Sequence, residues 1–101
     1  MKLKQDVTMN GIKPELVLGL MVADSIWKKY GEELVITSIT DSRHSKNSRH
    51  YIGLAADLRT RYFDKPTALR VANELKTELG DEFFVLLEST HVHIQFNGSV
   101  G

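Results

Sequence analysis

The C-terminal end of the chain carries the strongest constraint on what it can fold into. EFFVLLE, residues 82–88, and HVHIQF, residues 91–96, are two β-forming runs separated only by Ser89 and Thr90, which is hairpin spacing. EFFVLLE is apolar without interruption between its terminal glutamates and reads as a buried strand. HVHIQF alternates instead. Successive side chains of a strand point to opposite faces, so Val92, Ile94 and Phe96 turn to the core while His91, His93 and Gln95 share the other side. Two imidazoles then stand on one face, about 7 Å apart at their Cα atoms.

The other elements supply the layer that such a hairpin needs. A short N-terminal segment ends at the Asn10-Gly11 turn signal. Pro14 and Glu15 open a helix over about residues 14–30, and Lys28, Lys29 and Gly31 close it, as expected from capping and helix-dipole preferences. LVITSI, residues 34–39, is rich in β-branched side chains and reads as a strand. A polar loop over roughly residues 40–52 leads to a short strand in LAADLR, residues 54–59. Asp64 and Pro66 start a second helix, in which Ala68, Ala72, Leu75 and Leu79 form one apolar stripe, and Gly80 ends it. Two helices among adjacent strands, with a hairpin at the end, specify an α+β fold: a small, mainly antiparallel sheet with helices over one face. Trp27 and Tyr30, at the end of the first helix, are expected to pack in the core or at its rim.

Composition narrows the possibilities. At 101 residues and 42% hydrophobic, the chain matches one small domain, residues 1–101, with no linker. Thirteen basic and thirteen acidic residues cancel, so no overall field favours nucleic acid or an anionic membrane. There is no cysteine, which excludes disulfides and thiolate metal sites, so any metal must sit on histidine and carboxylate. LVLGLMVA, residues 16–23, follows Lys2, Lys4 and Lys13 but is too short to span a bilayer and lacks a small-x-small cleavage pattern. The expectation is a soluble protein without a signal peptide, made in the cytoplasm.

SRHYIGLAAD, residues 48–57, joins His50 to Asp57 through Gly53, Ala55 and Ala56. Small residues let backbones approach and leave room for a site. A catalytic zinc site needs three protein ligands and an open position, and His50, Asp57 and one of the strand histidines would supply them. Three of the four histidines of the chain, His50, His91 and His93, fall at positions that this arrangement could use.

The pattern Ser48, His50, Gly53, Ala55, Asp57, with HVH far downstream, resembles the zinc D-alanyl-D-alanine carboxypeptidase family, which includes endolysins that cut the L-alanyl-D-glutamate bond. The likeness runs from about Val35 to Phe96, with the SxHxxGxAxD signature complete. It implies a fold shared with the hedgehog signalling domain, zinc as cofactor, and a peptidoglycan peptide substrate hydrolysed at the cell wall by a monomer. It also implies zinc ligands at His50, Asp57 and His93, and a catalytic base at His91, as in members with a histidine two residues before the last ligand. Other members carry a glutamate three residues before that ligand. Position 90 is a threonine, a departure from that pattern, but Glu88 stands three before His91, which leaves a second register with His91 as ligand and Glu88 as base. An arginine ahead of the first histidine holds a substrate carboxylate in the family, and Arg43 and Arg49 are the candidates for it here, between which the sequence does not choose, with Ser48 on the substrate side.

Two other classes stand beside this reading. One is a catalytically silent module that keeps zinc for stability. The other is a small nucleic-acid-binding domain using Arg43, His44, Lys46 and Arg49, which the neutral charge balance disfavours. The polar run around these residues is expected to be a solvated loop.

Overall fold

A computed structural model describes residues 1–40 and 54–98. Helix α1 spans Pro14–Lys29, with Pro14 in its first turn and Lys28 and Lys29 in its last. Leu16, Gly19, Leu20, Ala23, Ile26 and Trp27 are its buried positions, a spacing of three and four that gives one apolar face. Gly31 follows at φ 81°, a left-handed conformation that a side chain disfavours, and the chain turns there into the sheet.

Helix α2, Lys65–Leu79, is capped by Asp64, whose carboxylate accepts a hydrogen bond from the Thr67 backbone N–H at 2.8 Å. Ala68, Val71, Ala72 and Leu75 are buried along it. Both helix ends expected from the capping signals are found within a residue.

The strands are β1 (Lys2–Leu3), β2 (Val35–Thr40), β3 (Ala55–Arg59), β4 (Phe83–Leu87) and β5 (His91–Phe96). They form one five-stranded sheet in the order β1-β2-β3-β5-β4. β1 runs parallel to β2, and the other neighbours are antiparallel. The fold is α+β, as the order of elements implied. β1 was not foreseen, because two residues carry no periodicity to read.

Both helices lie on one face of the sheet. Between them and that face are Leu20, Trp27, Ile36, Leu58, Val71, Leu75, Val92 and Ile94, all at 0% exposure. The Trp27 indole N–H donates to the Arg59 carbonyl and to the Tyr62 hydroxyl, each at 3.1 Å. A buried indole therefore ties α1 to the end of β3. Phe63 meets Trp27 edge-on at 5.9 Å between ring centroids. Among the described residues, no helix is long and apolar enough to cross a membrane.

The opposite face has no covering layer among the described residues, and this corrects one expectation. The run at 82–88 is not a buried strand. β4 is an edge strand with alternate side chains outside, Phe84 at 46% exposure and Leu86 at 45%. Five apolar residues in succession do not reveal that only one side will be covered.

Candidate functional site

Register on the open face places the chemistry-bearing residues. β3 and β5 pair so that Asp57 lies opposite His93, Ala55 opposite Gln95 and Arg59 opposite His91. Directly opposed residues on antiparallel strands share a face. Leu58, Val92 and Ile94 turn inward to the core, so Asp57, His91 and His93 turn outward. A bulge between Ile36 and Ser38 realigns β2, leaving Ser38 opposite Asp57, and the Thr37 hydroxyl donates to the Asp57 carbonyl at 3.3 Å. The bulge anchors the backbone of the acidic residue from the side away from the histidines.

The hairpin brings in the fourth group. The Glu88 N–H donates to the His91 carbonyl at 2.8 Å, closing the two-residue turn through Ser89 and Thr90. That closure sets the Glu88 side chain beside the His91 ring, with Oε1 2.8 Å from Nε2. His91 Nε2 also lies 3.6 Å from Asp57 Oδ1. His93 Nδ1 lies 2.9 Å from the same oxygen. One carboxylate oxygen is thus shared by two imidazoles, and a second carboxylate stands behind the first of them.

His93 is the most conditioned member. The hydrogen bond to Asp57 holds its imidazole above the ordinary histidine range, against the opposing pull of partial burial. Gln95 and the charges of Asp57 and Glu88 act in the same direction as that bond. With Nδ1–H donated to Asp57, the other ring nitrogen faces the Gln95 amide oxygen at 3.4 Å, and Gln95 in turn donates to the Asn97 side chain at 2.8 Å. The Phe84 ring stands edge-on to His93 at 6.3 Å. His91 presents its remaining nitrogen, Nδ1, to the Thr90 hydroxyl at 3.3 Å, at the turn and away from Asp57.

Of the residues singled out in the sequence, Asp57, Glu88, His91 and His93 come together. His50, Ser48, Arg43 and Arg49 lie outside the described residues. Two neighbours were missed by sequence reasoning. Arg59 lies two residues beyond Asp57 on the same face and opposite His91, a placement that the period of two in AADLR already carried. Phe84 lies inside an unbroken apolar run, which hides its outward placement.

The donor set suits zinc in kind: carboxylate oxygen and imidazole nitrogen are ligand types the ion takes. With bonds of about 2.0–2.1 Å in a tetrahedron, zinc donors lie about 3.3 Å apart, and the two Asp57–imidazole separations of 2.9 and 3.6 Å bracket that figure. Among the described residues no group of three or more histidine, aspartate or glutamate side chains is arranged to hold a metal; the rings are turned onto the carboxylates. The third donor that the sequence pattern implies, His50, is outside the described residues.

No protein-family model, no curated protein and no solved structure matches this chain.

Proposed function

We propose that the chain is a zinc-dependent peptidase that hydrolyses an amide bond in peptidoglycan stem peptides, of the D-alanyl-D-alanine carboxypeptidase or L-alanyl-D-glutamate endopeptidase type. The observation that carries the reading is the convergence of Asp57, His91, His93 and Glu88 on one open sheet face, downstream of the SxHxxGxAxD signature. Its setting would be the cell wall, with the chain acting as a monomer.

In this reading His50 and Asp57 hold the ion together with one strand histidine. Held there, zinc would supply Lewis acidity, which lowers the pKa of water to roughly 7 and polarises a carbonyl. The two registers differ in how they use β5. The register with His93 as ligand leaves His91 as base, with its Nε2 already against the Glu88 carboxylate and its Nδ1 turned to the Thr90 hydroxyl. The register with His91 as ligand is better supported. Its Nε2 faces both Asp57 and Glu88, so Glu88 stands beside the position where the attacking water would be. Glu88 takes the proton of that water and returns it to the departing amine as the carbon–nitrogen bond breaks, a role typically worth about 10²- to 10⁴-fold in rate. His93, hydrogen-bonded to Asp57, then orients the acidic ligand, as outer partners commonly do. Arg43 or Arg49 would hold a substrate carboxylate bidentately, with Ser48 nearby.

The test is digestion of purified peptidoglycan fragments by the zinc-loaded protein, with products identified by mass. Release of a terminal D-alanine or cleavage after L-alanine is expected. Zinc-loaded protein that cleaves neither bond would overturn the enzyme reading in favour of a silent zinc module. Tight, salt-dependent oligonucleotide binding by metal-free protein would favour the nucleic-acid reading instead.

A further inference from the structure

β5 carries a line of polar side chains past the site. His93, Gln95 and Asn97 alternate with Ile94 and Phe96, which are buried, so the three stand on the open side of the sheet. They are also bonded in series. Asp57 Oδ1 lies 2.9 Å from His93 Nδ1, His93 Nε2 lies 3.4 Å from Gln95 Oε1, and the Gln95 amide N–H donates to Asn97 Oδ1 at 2.8 Å. Each ring nitrogen of His93 therefore has an oxygen partner of its own. The Asn97 backbone N–H donates to the Glu82 carbonyl at 2.7 Å, so the far end of the line is tied to the residue just before β4.

A glutamine amide has a donor end and an acceptor end. With an N–H given to Asn97, Gln95 turns its oxygen to His93, and an oxygen only accepts, so the hydrogen it takes is the one on Nε2. A half-turn of the ring would put carbon atoms where the nitrogens are and lose both contacts at once. Phe84, opposite Gln95 on β4, stands edge-on to the same ring at 6.3 Å. Resting on the zinc-peptidase reading above, we infer that Gln95, set by Asn97, is a positioning residue of the metal site: it holds the outer nitrogen of His93, and the ring so fixed keeps the Asp57 oxygen aimed at the ion. That oxygen also lies 3.6 Å from His91 Nε2, and an oxygen shared between two rings keeps its direction only when the rings are themselves held. His91 is held at the hairpin by Glu88 and Thr90. Gln95 does the same for His93.

Gln95→Leu, Gln95→Glu and Asn97→Ala in the full-length protein are compared with wild type by two measurements. Long-range nitrogen–proton NMR of the metal-free protein reads the His93 ring directly, and in wild type it should show a proton on Nε2 protected from exchange with water. Gln95→Leu keeps the bulk and removes the acceptor. It should lose that protection and bind zinc about tenfold more weakly in competition with a chelator, the low end of what an outer partner contributes. Gln95→Glu still offers the ring an oxygen and should keep the protection, with zinc affinity within about threefold of wild type. Asn97→Ala leaves the amide free to turn and should fall between the two, at about threefold. Wild-type zinc affinity in Gln95→Leu, no proton on Nε2 in the wild-type ring, or a Gln95→Glu protein as weak as Gln95→Leu would each overturn the role. So would losses of affinity that follow the Tm of the three variants rather than the Nε2 signal, which would mark a merely structural residue. Neither measurement needs turnover. A wild type that binds zinc and cleaves no peptide fails the peptidase reading alone, whereas an unchanged ring and affinity in Gln95→Leu fail this inference alone.

Discussion

Asp57 and His93 face each other across neighbouring antiparallel strands, and His93 Nδ1 lies 2.9 Å from Asp57 Oδ1. The same oxygen is 3.6 Å from His91 Nε2. One carboxylate oxygen thus organises both imidazoles of the HxH strand, and the consequences of removing each partner differ.

Metal content follows from this arrangement directly. The wild-type protein should bind one zinc per chain, and Asp57→Ala or His50→Ala should abolish it. Elemental analysis of the purified variants checks this, and full zinc in either one would refute the ligand assignment. Binding to the native state alone adds stability by mass action, so a chelator should lower the Tm of the wild type and leave that of Asp57→Ala unmoved.

The two strand histidines should separate by metal content and turnover. His91→Ala should lose zinc and activity together. His93→Ala should retain zinc with affinity lowered about 10- to 100-fold, the usual effect of losing an outer partner. Glu88→Gln should keep its zinc and lose about 10²-fold or more in kcat. A zinc-free His93→Ala beside a zinc-replete, slow His91→Ala would return the site to the register in which His93 is the ligand and His91 the base.

Trp27 links the core to the site, and its loss should be felt in stability. The side chain is fully buried and donates to the Arg59 carbonyl. Trp27→Ala should cost about 3–5 kcal/mol. Trp27→Phe keeps much of the packing but leaves that carbonyl without its indole partner, at about 1–3 kcal/mol. Urea unfolding measures both, and a Phe variant within about 0.5 kcal/mol of wild type would show that the bond contributes little.

Acid should loosen α2 through its cap. Hydrogen bonds from Thr67 hold the Asp64 carboxyl below the usual carboxylate range. A carboxylate whose pKa is lowered by folding contributes stability above its unfolded value, and that contribution fades as pH falls through the folded value. The Tm of Asp64→Asn, which retains a capping oxygen without the charge, should therefore converge on that of wild type as pH drops from neutral toward the acid range. A Tm difference that stays constant across that range would mean that the charge plays no part.

Local chemistry was enough to specify both helices and the two faces of β5. Pro14 and Gly31 bound one helix and Asp64 and Gly80 the other, because capping and left-handed turns depend on a few adjacent residues. The alternation in HVHIQF determined that His91 and His93 share a face opposite Val92 and Ile94, since a strand has a period of two whatever it pairs with. Tertiary structure decided what lies across from them. The pairing of β3 with β5 sets Asp57 against His93, and a one-residue slip would have turned the carboxylate into the core. It also decided that β4 is an edge, leaving Phe84 and Leu86 exposed beside the site. Strand order and register arise from contacts between residues far apart in the chain, which no local pattern encodes.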